Sequence, residues 1–260
     1  MPSPIRFTLA LVRPPTPNVV DGLRAIDGPD PDFHIFLTEH AGYLEALTAA
    51  GVRVEAMEPL DEFPDAVFVE DAALCIGSHA IVLRPGAPSR AGEADAIVAD
   101  LEARFSTVAR VEAGFVDGGD ILVSGTEVMV GLSARTDAEG VEALTEAVAP
   151  TGLPVRVVET PPGVLHFKTD CAIVDDSMIF STVRLAASGC FEGYDVLACP
   201  VGEEAAANLI RVNDHLIMRT GFPETKAVLD AAGFDVMTVA ADEAARIDGG
   251  LSCMSLRCAP

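Results

Sequence analysis

Positive charge is scarce in this sequence. Lysine and arginine total 17 against 40 acidic residues, leaving a formal net charge of −23 and a pI near 4.3. A chain of that sign does not neutralise phosphates, so neither nucleic acid nor an anionic membrane is expected as a partner. Tryptophan is absent and aromatics reach only 5%. Of the six cysteines, Cys75, Cys171, Cys190, Cys199, Cys253 and Cys258, no two form a C-x-x-C pair. Their scatter does not resemble a disulfide framework and fits reduced thiols in the cytoplasm. No stretch approaches a membrane span. The apolar run Phe7–Val12 is shorter than a signal sequence core and is followed by Arg-Pro-Pro, so it reads as a first strand.

Half of the 260 residues are hydrophobic, enough for a sizeable core, and one domain over 1–260 is expected. The acidity itself has two readings. A negative field favours approach of a small cation, and the plainer reading is solubility.

Repetition follows a long opening loop. Residues 14–33 are rich in proline, and loops of roughly 20 residues are uncommon unless they cover or bind something. A helix is expected over Glu39–Ala50 with Gly51 as its stop, then a strand over Val52–Met57. Val67–Asp71 next leads into a hairpin, Ala72–Ile76 and Ala80–Leu83, followed by a helix over Gly92–Phe105 and a strand over Thr107–Val111. The pattern returns after Phe115–Asp120, with the hairpin Ile121–Val123 and Glu127–Val130. There Thr136-Asp137-Ala138-Glu139 matches a capping box, before a helix to Val148 and a strand over Val155–Val158. It returns again after Val164–Asp170 and after Ala207-Asn208. Asp71, Asp120, Asp170 and Asn208 open the four hairpins at spacings of 49, 50 and 38. Such a period marks a propeller or repeat array. The first strand together with the segment from Asp248 supplies a fifth unit. The fold class expected is α/β, a cyclic array of ββαβ-like units; the alternative is a plain mixed sheet.

A closed array carries the same point of each hairpin to its axis. Asp65, Glu70, Asp71, Asp117, Asp120, His166 and Asp170 would meet there with Cys253, which follows the flexible pair Gly249-Gly250. A thiolate is a strong nucleophile, histidine moves protons near neutral pH, and carboxylates hold a planar guanidinium through paired hydrogen bonds. The combination points to attack on a guanidinium carbon. Plainer readings stand beside it. Asp120, Asp170 and Asn208 read best as turn caps, as Asp65 can. His166 can be a core histidine and Cys253 a structural cysteine. Arg90 and Arg135 can be solvated. Histidines and cysteines lack metal-ligand spacing, so no catalytic metal is expected.

The stretches Phe63–Asp71, Arg84–Arg90, Asp117–Asp120, Gly131–Thr136, Leu165–Lys168 and Asp248–Cys253, in this order, resemble the dimethylarginine dimethylaminohydrolases of the guanidine-modifying (pentein) superfamily. The resemblance covers nearly the whole chain. It implies a five-fold pseudosymmetric α/β propeller and hydrolysis of methylated arginine to citrulline through a covalent cysteine intermediate, without a cofactor. Cys253 would be the nucleophile, His166 the general acid and base, and Asp117 the residue orienting it. Asp65, Phe68, Glu70 and Asp71 would hold the guanidinium, and Arg90 and Arg135 the α-carboxylate. Leu23, Ile247 and Asp248 would hold the α-amino end and cover the site. The small cationic substrate is the expected partner; the oligomeric state is open, a homodimer being one option. Rival readings are an arginine deiminase, whose family usually carries an inserted helical module, a non-catalytic binding propeller, and a cysteine amidase.

Overall fold

The computed structural model describes residues 3–260; residues 1 and 2 of the expected domain lie outside the described residues. Among the described residues, fifteen short strands form five separate three-stranded sheets. β1 (Leu9–Val12) is followed by α1 (Phe33–Ala49) and β2 (Arg53–Ala56). The next unit is β3 (Ala73–Ile76), β4 (His79–Val82), α2 (Ala91–Ala96), α3 (Val98–Glu102) and β5 (Thr107–Arg110). Then come β6 (Ile121–Val123), β7 (Val128–Leu132), α4 (Ala138–Val148) and β8 (Val155–Glu159). β9 (Cys171–Asp175), β10 (Met178–Ser181), α5 (Val183–Ala186) and β11 (Asp195–Ala198) make the following unit. The last complete one is β12 (Ile210–Val212), β13 (His215–Arg219), α6 (Pro223–Ala231) and β14 (Asp235–Val239). α7 (Asp242–Ala245) and β15 (Leu256–Cys258) end the order.

Each sheet has the same wiring. An inner strand pairs antiparallel with a middle strand, and a helical crossover brings an outer strand back parallel to the middle one. The middle strands are near-continuous apolar runs because both faces are covered; Val128, Met129 and Val130 are fully buried. The fifth sheet is assembled from the two ends of the chain. β15 pairs antiparallel with β1, Leu9 opposite Cys258, and β1 pairs parallel with β2. This five-fold arrangement is the α/β propeller expected from the repeat.

Several boundaries differ from the sequence reading. α1 starts at Phe33, not Glu39, because Asp32 caps it, its carboxylate accepting from the amides of His34 (2.9 Å) and Ile35 (3.0 Å). The expected helix over residues 92–105 is two pieces separated at Ile97. Thr136 does not cap α4. Asp137 does, accepting from the Gly140 amide at 2.7 Å, while the Thr136 hydroxyl donates to Asp120 at 2.7 Å. The loop over residues 14–33 contains a short 3-10 turn at Pro17–Asp21. α5, which the sequence reading did not anticipate, is a single turn capped by Thr182.

Candidate active site

Three tight turns deliver the site. Each precedes an inner strand: Val69–Ala72 before β3, Gly118–Asp120 before β6, and Phe167–Thr169 before β9. Asp120 and Asp170, at the ends of two of them, hold these turns rather than any ligand. Asp120 is completely buried and accepts from Ser133 (2.6 Å), Thr136 (2.7 Å) and the Phe167 amide (2.9 Å). Asp170 accepts from Thr182 and Arg184.

The cysteine loop is fixed from several sides. Tyr43 on α1 donates to the Leu251 carbonyl at 2.9 Å and contacts the Ser255 hydroxyl at 2.6 Å. Asn208 bonds both the amide of Ser252 (3.0 Å) and its hydroxyl (3.1 Å). The Cys253 carbonyl accepts from the Glu70 amide at 3.1 Å. The two glycines are close-approach positions. A Cβ on Gly249 would enter the Phe68 ring, and one on Gly250 would lie 2.5 Å from the Asn208 side chain. Asp248, just before them, sits at φ 58, a left-handed conformation that few residues other than glycine adopt.

A cavity of about 40 Å³ collects Leu23, Asp65, Phe68, Asp71, Arg90, Arg135, Leu165, His166, Ile247, Asp248, Gly249 and Cys253. Asp117 is one layer behind. It is fully buried; one oxygen lies 3.0 Å from His166 Nε2 and the other accepts from the Gly86 amide at 2.7 Å. Burial works against a charged imidazole, but the Asp117 hydrogen bond and the charges of Asp71 and Asp120 overcome it and raise His166 to about 9. The Cys253 thiol moves up as well, to about 12, through burial and the nearby Asp71 and Glu70 carboxylates, against smaller help from the Gly250 backbone and Lys168. Near neutral pH the pair is therefore a thiol facing an imidazolium.

Two residues depart from expectation. Glu70 does not line this cavity. Its carboxylate faces away, toward Lys168 Nζ (2.7 Å) and Arg257 (2.8 Å). Arg90 lines the cavity, yet its guanidinium is already engaged. It pairs with Asp71, donates to Glu93 (2.6 Å) and reaches the carbonyls of Phe68 (2.9 Å) and Asp65 (3.3 Å). Burial opposes the Asp71 charge, and Arg90 and then His166 outweigh it, so its carboxyl stays below the usual range. Asp65 moves up through burial and accepts from the Leu23 amide at 3.0 Å. Among the described residues the Arg135 guanidinium has no hydrogen-bond or ion-pair partner, and it is the uncommitted cation of the cavity.

The sequence reading assigned no role to Glu93, Lys168 or Arg257. Glu93 was legible as the i+3 partner of Arg90; the other two carried no spacing signal. Ligand atoms of Asp71, Asp117 and His166 lie within 4.8 Å of one another. A protonated imidazole with both Asp117 oxygens engaged makes this a hydrogen-bonded relay rather than a good cation cradle.

Comparison with known proteins gives a consistent result. The family model described as "N,N dimethylarginine dimethylhydrolase, eukaryotic" matches residues 33–183. An N(G),N(G)-dimethylarginine dimethylaminohydrolase of Pseudomonas aeruginosa is 37% identical over 96% of this chain and 99% of its own. A solved structure of the Pseudomonas aeruginosa enzyme, a cysteine-to-serine variant complexed with citrulline, superposes with a TM-score of 0.94 at 36% identity, covering 97% of this chain and 99% of that one. A histidine-to-glycine variant of a dimethylarginine dimethylaminohydrolase, solved as an adduct with S-methyl-L-thiocitrulline, gives 0.93 at 37% identity, covering 96% and 99%.

Proposed function

This chain belongs to the dimethylarginine dimethylaminohydrolase family, and we propose that it acts as a single catalytic domain hydrolysing N-omega-methylated arginine to citrulline and dimethylamine or methylamine. The observation that carries the reading is one pocket holding the Cys253 thiol, the His166–Asp117 pair and the carboxylates of Asp65 and Asp71. That set complements a planar cation with an electrophilic carbon.

The residues take these roles. Phe68, Asp65 and Asp71 receive the guanidinium. A positive charge beside the sulfur favours the thiolate, so substrate itself activates Cys253, whose proton passes to solvent because His166 already carries one. The sulfur adds to the guanidinium carbon. His166, held protonated by Asp117, gives its proton to the departing amine as the carbon–nitrogen bond breaks, leaving an S-alkylthiouronium. The neutral imidazole then takes a proton from water. Hydroxide adds to the same carbon, the carbon–sulfur bond breaks, and citrulline leaves with the cysteine restored. Arg135 binds the α-carboxylate, because it is the cation with free donors. Arg90 stands behind Asp71 and fixes it. Asp248 and the Ile247 carbonyl receive the α-amino group, under Leu23.

The loop bearing Leu23 is tied down by Asp65 and by Asp248, which accepts from the Ala25 amide. The free state of all six cysteines supports a reducing, cytoplasmic location. No helix among the described residues is long and apolar enough to cross a membrane.

The test is citrulline release from asymmetric dimethylarginine and from arginine, side by side, with wild type, Cys253→Ser and His166→Gly. Release from the methylated substrate alone, lost in both variants while the fold survives, is the expected outcome. Release mainly from arginine would make the protein a deiminase, and activity retained in either variant would move the chemistry elsewhere. In Arg135→Ala, KM should rise at least about tenfold with kcat changed less; a loss confined to kcat would remove Arg135 from the carboxylate.

A further inference from the structure

The four residues that open the hairpins, Asp71, Asp120, Asp170 and Asn208, do unequal work. Asp71 accepts from the Gly119 amide at 2.9 Å, in the turn of the next unit. Asp120 likewise reaches the next turn, at the Phe167 amide. Asp170 breaks the pattern, its carboxylate being taken by Thr182 and Arg184 of its own unit. Asn208, which follows the short turn Glu204–Ala207, restores it from the other side. Its Oδ1 accepts from the Ser252 amide at 3.0 Å. Its Nδ2 donates to the Ser252 hydroxyl and to the Lys168 carbonyl, at 3.1 Å each. The Glu70 amide donates to the Cys253 carbonyl at 3.1 Å. The five turns are thus joined into a closed belt of hydrogen bonds, and Asn208 supplies two of its five links.

Those two links span the reacting pair. Lys168 lies two residues after His166, in the Phe167–Thr169 turn, and Ser252 immediately precedes Cys253. Only an amide can make both. It offers donors and an acceptor together, whereas a carboxylate at position 208 has no proton to give the Lys168 carbonyl. The acid found at the other three openers would place an oxygen against that carbonyl here. Gly250 fits the same arrangement. A Cβ there would lie 2.5 Å from the Asn208 side chain, so the second glycine of the cysteine loop leaves room for the amide. The Gly250 backbone amide in turn bonds the Cys253 sulfur. Asn208 itself does not line the cysteine pocket.

We propose that Asn208 is a positioning residue for the reaction: by tying the histidine turn to the cysteine loop, its side-chain amide sets the reach between the His166 imidazole and the Cys253 sulfur. The inference rests on the hydrolysis assigned above. It gives Asn208 a role that acts through those two residues and not through contact with substrate.

The test compares wild type, Asn208→Asp and Asn208→Ala on asymmetric dimethylarginine and on its isothiourea analogue S-methyl-L-thiocitrulline. The amine of the first leaves only with a proton from His166, whereas the thiolate of the second is a better leaving group and needs that proton less. Asn208→Asp, nearly isosteric, should lower kcat/KM for dimethylarginine at least about 30-fold, the order of a small misplacement of a reacting group. The loss for S-methyl-L-thiocitrulline should be smaller by at least about tenfold. KM for dimethylarginine should move less than about threefold, because its binding groups lie on other turns. Asn208→Ala removes both links without adding a charge and should show the same split. The ratio of the two losses does not depend on how much of a variant is folded. Equal losses on both substrates, or no loss in either variant, would overturn the proposal. Failure of both variants to fold would do so too, making Asn208 a structural residue alone. Wild type silent on both substrates would instead overturn the assigned reaction, and the proposal with it, before any variant is read.

Discussion

At the scale of single residues, the decisive property is that Cys253, the proposed nucleophile, rests as a thiol. Burial and the carboxylates of Asp71 and Glu70 all disfavour the anion, and Cys253 stands at about 12. His166 is shifted the same way, to about 9, so it retains its proton where a free imidazole would lose it. Free enzyme should therefore react slowly with iodoacetamide at pH 7, with a rate that climbs steadily up to pH 10 as the small thiolate fraction grows. A bound, unreactive guanidinium cation should displace the thiol titration downward, read by thiolate absorbance near 240 nm as a difference between wild type and Cys253→Ser. A plateau of alkylation already reached near pH 7 in free enzyme would mean a preformed thiolate–imidazolium pair. That Cys253, His166 and Asp117 come together was legible in the sequence because their neighbours form recognisable stretches in the right order. The orientation of Glu70 was not. Two adjacent acids in a 3-10 turn look equivalent in a string of letters, and only the backbone angles send one to the pocket and the other to Lys168 and Arg257. Arg90 was similarly opaque, because nothing in its spacing from Arg135 indicates that one guanidinium is saturated and the other free.

At the scale of elements, the turns before β3, β6 and β9 matter more than the sheets they introduce, because catalysis depends on how closely they pack. A Cβ on Gly119 would lie 2.6 Å from His166 Nδ1, against a side chain, whereas one on Gly118 would run into the Glu70 carbonyl, against backbone. The two glycines therefore separate function from stability. Gly119→Ala should displace the imidazole and lower kcat by roughly 100-fold, the order expected for a misplacement near 1 Å, with little loss of stability. Gly118→Ala should cost about 1–3 kcal/mol as overpacking does, visible as a lower denaturation midpoint. Equal effects on both quantities in the two variants would contradict the separation. The hairpins themselves were readable from alternation and turn residues. The late start assigned to α1 has a physical cause. Its first turn presents Ile35 half exposed while burying Phe36, so the apolar stripe becomes clear only from Tyr43 onward, although the Asp32 cap was there to be seen. The capping box at Thr136 misled because its hydroxyl is drawn off to the buried Asp120, a tertiary demand that overrides the local motif.

At the scale of the whole molecule, the excess of 23 negative charges surrounds a pocket for a cation. Raising ionic strength from about 0.01 to 0.15 M shortens the screening length from ~30 to ~8 Å, and kcat/KM for a cationic methylated arginine should fall severalfold across that range. Inhibition by citrulline, whose side chain is uncharged, should barely change. A salt-independent kcat/KM would return the acidity to the role of solubility. The repeat that organises the molecule was legible because its acidic turn openers recur at nearly equal spacing, and the fifth sheet was inferable because a ring needs closing. That closing sheet has a bearing on how the protein is made. β1 waits between β2 and β15, and Cys253 lies three residues ahead of β15, on the segment that completes the ring. During synthesis from the N-terminus, four sheets can form while the Cys253 sulfur is still unpositioned. The chain acquires its reactive centre only when Leu256–Cys258 emerges and docks on Leu9–Leu11, so a ribosome-bound fragment stalled before that point carries no activity, however much of its propeller has folded.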